Sequence, residues 1–69
     1  MMTFKEACAT TLSRCNNEYA KAYAKAGLHM DDAEEVRVQS LYILNNIAHW
    51  RGDDAKACRE TFKRYGKVK

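Results

Sequence analysis

The sequence predicts an all-α protein, an antiparallel (up-down-up) three-helix bundle with helices at about 4–26, 32–50 and 54–65. Three observations carry this. The chain has no proline and only three glycines, so little interrupts its runs of helix formers. Each run places apolar residues at steps of three and four, the repeat of one helix face. Each also begins near a capping residue and stops near a glycine.

The first helix opens at Thr3-x-x-Glu6, which has the form of a capping box. Phe4, Cys8, Thr11, Leu12, Cys15, Tyr19, Ala22, Tyr23 and Ala26 then fall on one stripe. The opposite face holds Glu6, Ser13, Asn17 and several alanines, which favour helix without demanding burial.

The second helix starts at Asp31-x-x-Glu34, an acidic variant of the same box. Val36, Ser40, Ile43, Ile47 and Trp50 form one apolar line, and Leu41, Leu44 and Ala48 a second beside it. Together they cover roughly half the circumference, more than one neighbour needs, so this helix is expected at the centre. The third helix is capped by Asp53 and carries Ala55, Cys58, Phe62 and Tyr65 at helical spacing. Gly27, Gly52 and Gly66 each follow a helical run, where a left-handed residue closes a helix. Short connections make the three helices antiparallel neighbours. The chain forms one domain over residues 1–69, with only the tail beyond Gly66 expected to fray.

The stretch Trp50-Arg51-Gly52-Asp53 contains an Arg-Gly-Asp triplet. Its residues are accounted for by helix punctuation. Arg51 offsets the negative end of the second helix, Gly52 turns the chain and Asp53 starts the third helix. An adhesion role would need an extended loop on a secreted protein. The same region has the outline of a helix-turn-helix, with Ala48, Gly52 and Cys58 at its small, turn and core positions. Lys56, Arg59, Lys63 and Arg64 would then be candidate nucleic-acid contacts on the third helix. Charged Arg51 and Asp53 beside the glycine, and the lack of Asn or Gln on that helix, speak against a base reader. Acids gather at helix starts and bases at helix ends throughout, the distribution that the helix dipole favours without any ligand.

Bulk properties narrow the function classes. The net charge of +3 permits phosphate contact without demanding it. Three cysteines cannot all pair, and Cys8, Cys15 and Cys58 form no Cys-x-x-Cys, so reduced thiols and a cytoplasmic location are expected. The opening residues lack a signal-peptide apolar core, and no apolar run approaches the ~20 residues of a membrane span. No cofactor or metal is expected: the acidic pairs do not make a calcium loop, and no glycine-rich phosphate loop is present. His29 and His49 have no catalytic partner nearby in sequence, and Cys8 and Cys15 lie on an apolar stripe where cysteine acts as a small hydrophobe. The chain is therefore not expected to be an enzyme.

One surface calls for a partner. Val38, Tyr42, Asn45 and His49 follow helical steps on the side of the second helix away from its apolar line. The stripe is aromatic, aliphatic and amide-bearing, with no full charge, as interface cores are. Tyr19, Tyr23 and Trp50 would extend it. A chain of this size buries only about 60% of its unfolded surface, so added burial is expected from a second copy. The expectation is a small non-enzymatic module, of the regulator or inhibitor type, that binds and modulates another macromolecule as a homodimer. A nucleic-acid binder using the third helix is the alternative. In size and plainness the chain resembles small accessory proteins of bacteria and their phages, a resemblance of type that no motif carries.

Overall fold

The computed structural model describes residues 1–67. The described chain is all-helical, with four helices where the sequence predicts three: α1 Phe4–Arg14, α2 Glu18–Gly27, α3 Ala33–Asn46 and α4 Asp53–Tyr65. α1 touches α2 and α4, and α3 touches the same two, so the helices close into a ring around the core. Lys67 lies beyond α4, and the rest of the expected frayed tail, 68–69, lies outside the described residues.

The extra helix arises at Cys15-Asn16-Asn17. Cys15 is extended (φ −83°, ψ 143°), and Asn17 serves as a new N-cap, its side-chain oxygen accepting from the Ala20 amide at 2.9 Å. Asparagine competes with helix in this way because its short amide satisfies backbone groups from a non-helical conformation. The break also rotates the chain. Beyond it the core receives Ala20, Ala24 and Gly27, not the expected Tyr19, Ala22 and Ala26, which are exposed. Alanines are thus core residues here: Ala7, Ala20, Ala24 and Ala55 are all fully buried.

The start of α1 is the expected capping box. Thr3 Oγ1 accepts from the Glu6 amide at 3.1 Å, and Glu6 Oε1 accepts from the Thr3 amide at 2.8 Å. α3 is capped by Asp32, which accepts from the amides of Glu34 and Glu35. Asp31, one residue earlier, pairs with Lys5 at 2.8 Å. α3 stops at Asn46, short of the expected Trp50, and Asn46 Nδ2 donates back to the Tyr42 carbonyl at 2.8 Å. Residues 47–50 form a separate turn, closed by the Trp50 amide on the Ile47 carbonyl at 3.1 Å. α4 is preceded by Gly52, with no side-chain cap, and Asp53 is its first helical residue instead of its cap.

Of the glycines, Gly52 has the left-handed φ of 106° expected of a turn. Gly27 and Gly66 do not. Gly27 lies inside α2, where a Cβ would sit 2.7 Å from Cys8 Sγ and 3.1 Å from Phe4 Cζ. Gly66 has φ −84°, and a Cβ there would meet Leu41 Cδ2 at 3.0 Å. Both are sites of close helix approach, not of turning.

Phe4, Ile43, Ile47 and Phe62 fill the centre, with Phe4 and Phe62 edge to face at 5.9 Å between centroids. Small residues close the gaps between them, among them Cys8 and Cys58. Buried hydroxyls are satisfied within their own helices: Thr11 on the Ala7 carbonyl at 2.8 Å, Ser40 on Val36 at 2.7 Å and Thr61 on Ala57 at 2.8 Å. Among the described residues no buried side-chain nitrogen or oxygen lacks a partner. Val36, Ser40, Ile43, Ile47 and Trp50 face this core, while Leu41 and Ala48 of the second apolar line are exposed. No helix of the described residues is long and apolar enough to cross a membrane.

Candidate interaction surface

The rotation at Asn17 has a direct consequence outside. With Ala20 and Ala24 buried, Tyr19 is left exposed, and Tyr23, one helical turn further on, is half-buried against the core. Tyr23 stacks on Tyr42 of α3, ring centroids 5.5 Å apart and planes at 27°. Beneath the stack, Gln39 Nε2 donates to the Tyr23 carbonyl at 2.8 Å, so the two helices are held in register where the rings meet. Tyr42 remains 49% exposed and Tyr19 71%.

The four stripe residues divide. Val38 is half-buried, Tyr42 and Asn45 are exposed on α3, and His49 lies past the end of the helix in the following turn. His49 is therefore not on the stripe, because α3 ends before reaching it. Of the three residues expected to extend the patch, Tyr23 joins Tyr42 directly and Tyr19 borders Tyr23. Trp50 instead packs half-buried against the core.

The basic residues of α4 divide as well. Lys56 and Lys63 are exposed. Arg59 turns inward, Nη1 donating to the carbonyls of Trp50 at 2.5 Å and Ile47 at 3.4 Å. α3 has no base in its last turn, and Arg59 supplies the positive charge there that the sequence assigns to Arg51. Arg64 donates to the Met2 carbonyl at 2.5 Å and lies 5.0 Å from the ring centre of Tyr65. Two of the four expected nucleic-acid contacts are thus engaged within the chain.

Two open grooves flank these surfaces. One, of about 450 Å³, runs between the α1–α2 break and the turn after α3. Arg14, Cys15, Asn16 and Asn17 line it from the α1–α2 break, and Asn46, His49, Trp50 and Arg51 from the end of α3 and the turn after it. The second, of about 810 Å³, is more apolar and lies over Val36 and Tyr65, bordered by Arg37 and Arg64. Neither is legible in the sequence, because the first exists only where two expected helices are interrupted.

The thiols are placed for packing. Cys8, Cys15 and Cys58 are free and buried. Burial pushes the Cys8 thiol up to about 12, and burial likewise raises Cys58, whose Sγ donates to the Ala7 carbonyl at 3.6 Å. Such thiols are poor nucleophiles. On the surface, hydrogen bonds from Thr3 lower the carboxyl of Glu6, while Lys5 lowers Asp31 and Arg37 lowers Glu34. No group of three His, Cys, Asp or Glu among the described residues is arranged to hold a metal ion. No protein-family model, curated protein or solved structure matches the chain.

Proposed function

We propose that this protein is a small non-enzymatic interaction module, of the regulator or inhibitor type, that docks through the tyrosine face of α2 and α3 and self-associates there as a homodimer. The observation that carries this reading is the Tyr23–Tyr42 stack, which presents Tyr42 and the neighbouring Tyr19 to solvent. Tyrosines recur at the energetic centres of interfaces because each offers a large apolar body with a polar tip and few rotatable bonds. The stack and the Gln39 bond hold the rings in place before any partner arrives, which lowers the ordering cost of binding. Buried reduced thiols support a cytoplasmic setting.

A two-fold contact across this face would bury the free half of each Tyr42, contributing on the order of 2–3 kcal/mol for the pair. Neighbouring Tyr19 and Val38 add to it. The alternative of a nucleic-acid reader on α4 is weakened by the internal bonds of Arg59 and Arg64. Sedimentation across a concentration series tests the dimer. Tyr42→Glu would place an unpaired charge at the centre of the contact and should yield a helical monomer. A parent protein that stays monomeric to high micromolar would remove the homodimer from this reading.

A further inference from the structure

We infer that the groove between the α1–α2 break and the turn after α3 binds a nucleotide, its phosphate on Arg14 and Arg51 and its base against Trp50. The lining carries two guanidinium groups and no carboxylate. Arg51 is exposed and has no hydrogen-bond or ion-pair partner among the described residues. Arg14 has one loose contact, its Nε 3.8 Å from Asp54 Oδ2, with both side chains more than half exposed. Its two terminal nitrogens remain available, and a guanidinium fork is the protein group best matched to phosphate oxygens.

The remaining lining suits a planar heterocycle better than a bare anion. Asn17 has spent its side-chain oxygen on the Ala20 amide, which leaves its Nδ2 as a donor. Asn46 has spent its Nδ2 on the Tyr42 carbonyl, which leaves its Oδ1 as an acceptor. One wall therefore offers a donor and the other an acceptor, the combination a base edge requires. Trp50 provides an indole for stacking, an interaction that tolerates any base. Its position is fixed by packing on the core and by Arg59 on its own carbonyl. A volume of about 450 Å³ lies within the range of small-ligand clefts. An acidic peptide such as penta-glutamate could use the arginines and the amides but has no planar ring to stack on the indole.

The same chemistry is presented by a free nucleotide and by one residue of a single strand, and titration of the intact chain separates them. Trp50 is the only tryptophan, so its fluorescence reports this groove alone. The probes are the four ribonucleoside 5′-monophosphates, a pentauridylate strand, inorganic phosphate and a penta-glutamate peptide, at low and physiological salt. Saturable quenching by nucleotide is expected, weakened at least tenfold by Arg51→Gln or Arg14→Gln, both at exposed positions whose fold circular dichroism verifies. Equal affinity for monophosphate and strand assigns a free nucleotide; a tenfold preference for pentauridylate, falling steeply with salt, assigns a single strand. Quenching retained in Tyr42→Glu separates this site from the tyrosine face. Unchanged fluorescence to millimolar nucleotide, quenching indifferent to both arginine variants, or equal binding of phosphate or penta-glutamate overturns the inference.

Discussion

Arg59 of α4 closes the end of α3 by donating to the carbonyl of Trp50 at 2.5 Å. The same nitrogen reaches the Ile47 carbonyl at 3.4 Å. One side chain thus gives the Trp50 carbonyl its donor and adds a second, longer contact to the Ile47 carbonyl, which already accepts from the Trp50 amide. Arg59→Met keeps the apolar stem and removes both bonds, and should destabilise the fold by about 1–3 kcal/mol. Arg51→Met, only a few residues from the same turn, should stay within about 0.5 kcal/mol of the parent. Urea denaturation of the two variants side by side reads the contrast; equal midpoints would return the capping role to Arg51.

Gly27→Ala sets two effects against each other. Alanine is the better helix former by about 1 kcal/mol. Its Cβ, however, would stand 2.7 Å from Cys8 Sγ and 3.1 Å from Phe4 Cζ. Overpacking of this kind costs about 1–3 kcal/mol, so net destabilisation is expected. Removing the sulfur with Cys8→Ala should shrink the penalty of Gly27→Ala, a coupling that a double-mutant cycle in thermal melts measures directly. Additive costs would mean that the two helices separate to accept the methyl.

The Cys8 thiol gives the fold an alkaline limit. Its ordinary value near 9.0 is raised to about 12 by burial. A group raised on folding stabilises the fold fully below its unfolded value, and the contribution is lost as pH rises toward the folded one. Stability should therefore hold to about pH 9 and decline between 9 and 12, with a shallower decline in Cys8→Ala. At pH 8 the native thiols should react slowly with a disulfide reagent and all three should react once urea unfolds the chain. Fast labelling of Cys8 in the native state would contradict its placement.

The helical class was legible because apolar spacing and caps agreed, and Thr3 with Glu6 forms the box that its spacing announces. The Ala55, Cys58, Phe62 line of α4 is likewise buried as its period requires. The break at Cys15-Asn16-Asn17 was hidden because the apolar rhythm runs straight through it, from Cys8 and Leu12 to Cys15 and Tyr19. Two successive asparagines were the available signal, and their capping preference outweighs a stripe that would otherwise bury Tyr19. Gly27 and Gly66 stand at the ends of α2 and α4 as expected, but without the expected left-handed backbone. A glycine chosen for close approach and a glycine chosen for a turn look alike in a single sequence, and only Gly52 has the left-handed backbone. At the candidate site, Tyr42 was found from its stripe, whereas its stack on Tyr23 depends on the phase of α2 after the break.

The ring of helices also dictates when the core can exist. Arg64 meets the Met2 carbonyl across 62 positions of sequence, and Cys58 meets that of Ala7 across 51. The contact that closes the ring joins α1 to α4, and Phe4 waits for Phe62. Long-range closure slows folding relative to bundles built from neighbouring helices. On the ribosome, α1, α2 and α3 are synthesised while Phe4, Cys8 and Ile43 still lack their covering helix. Until α4 clears the exit tunnel the nascent chain carries an uncovered apolar face, which makes that interval the natural one for chaperone capture or aggregation.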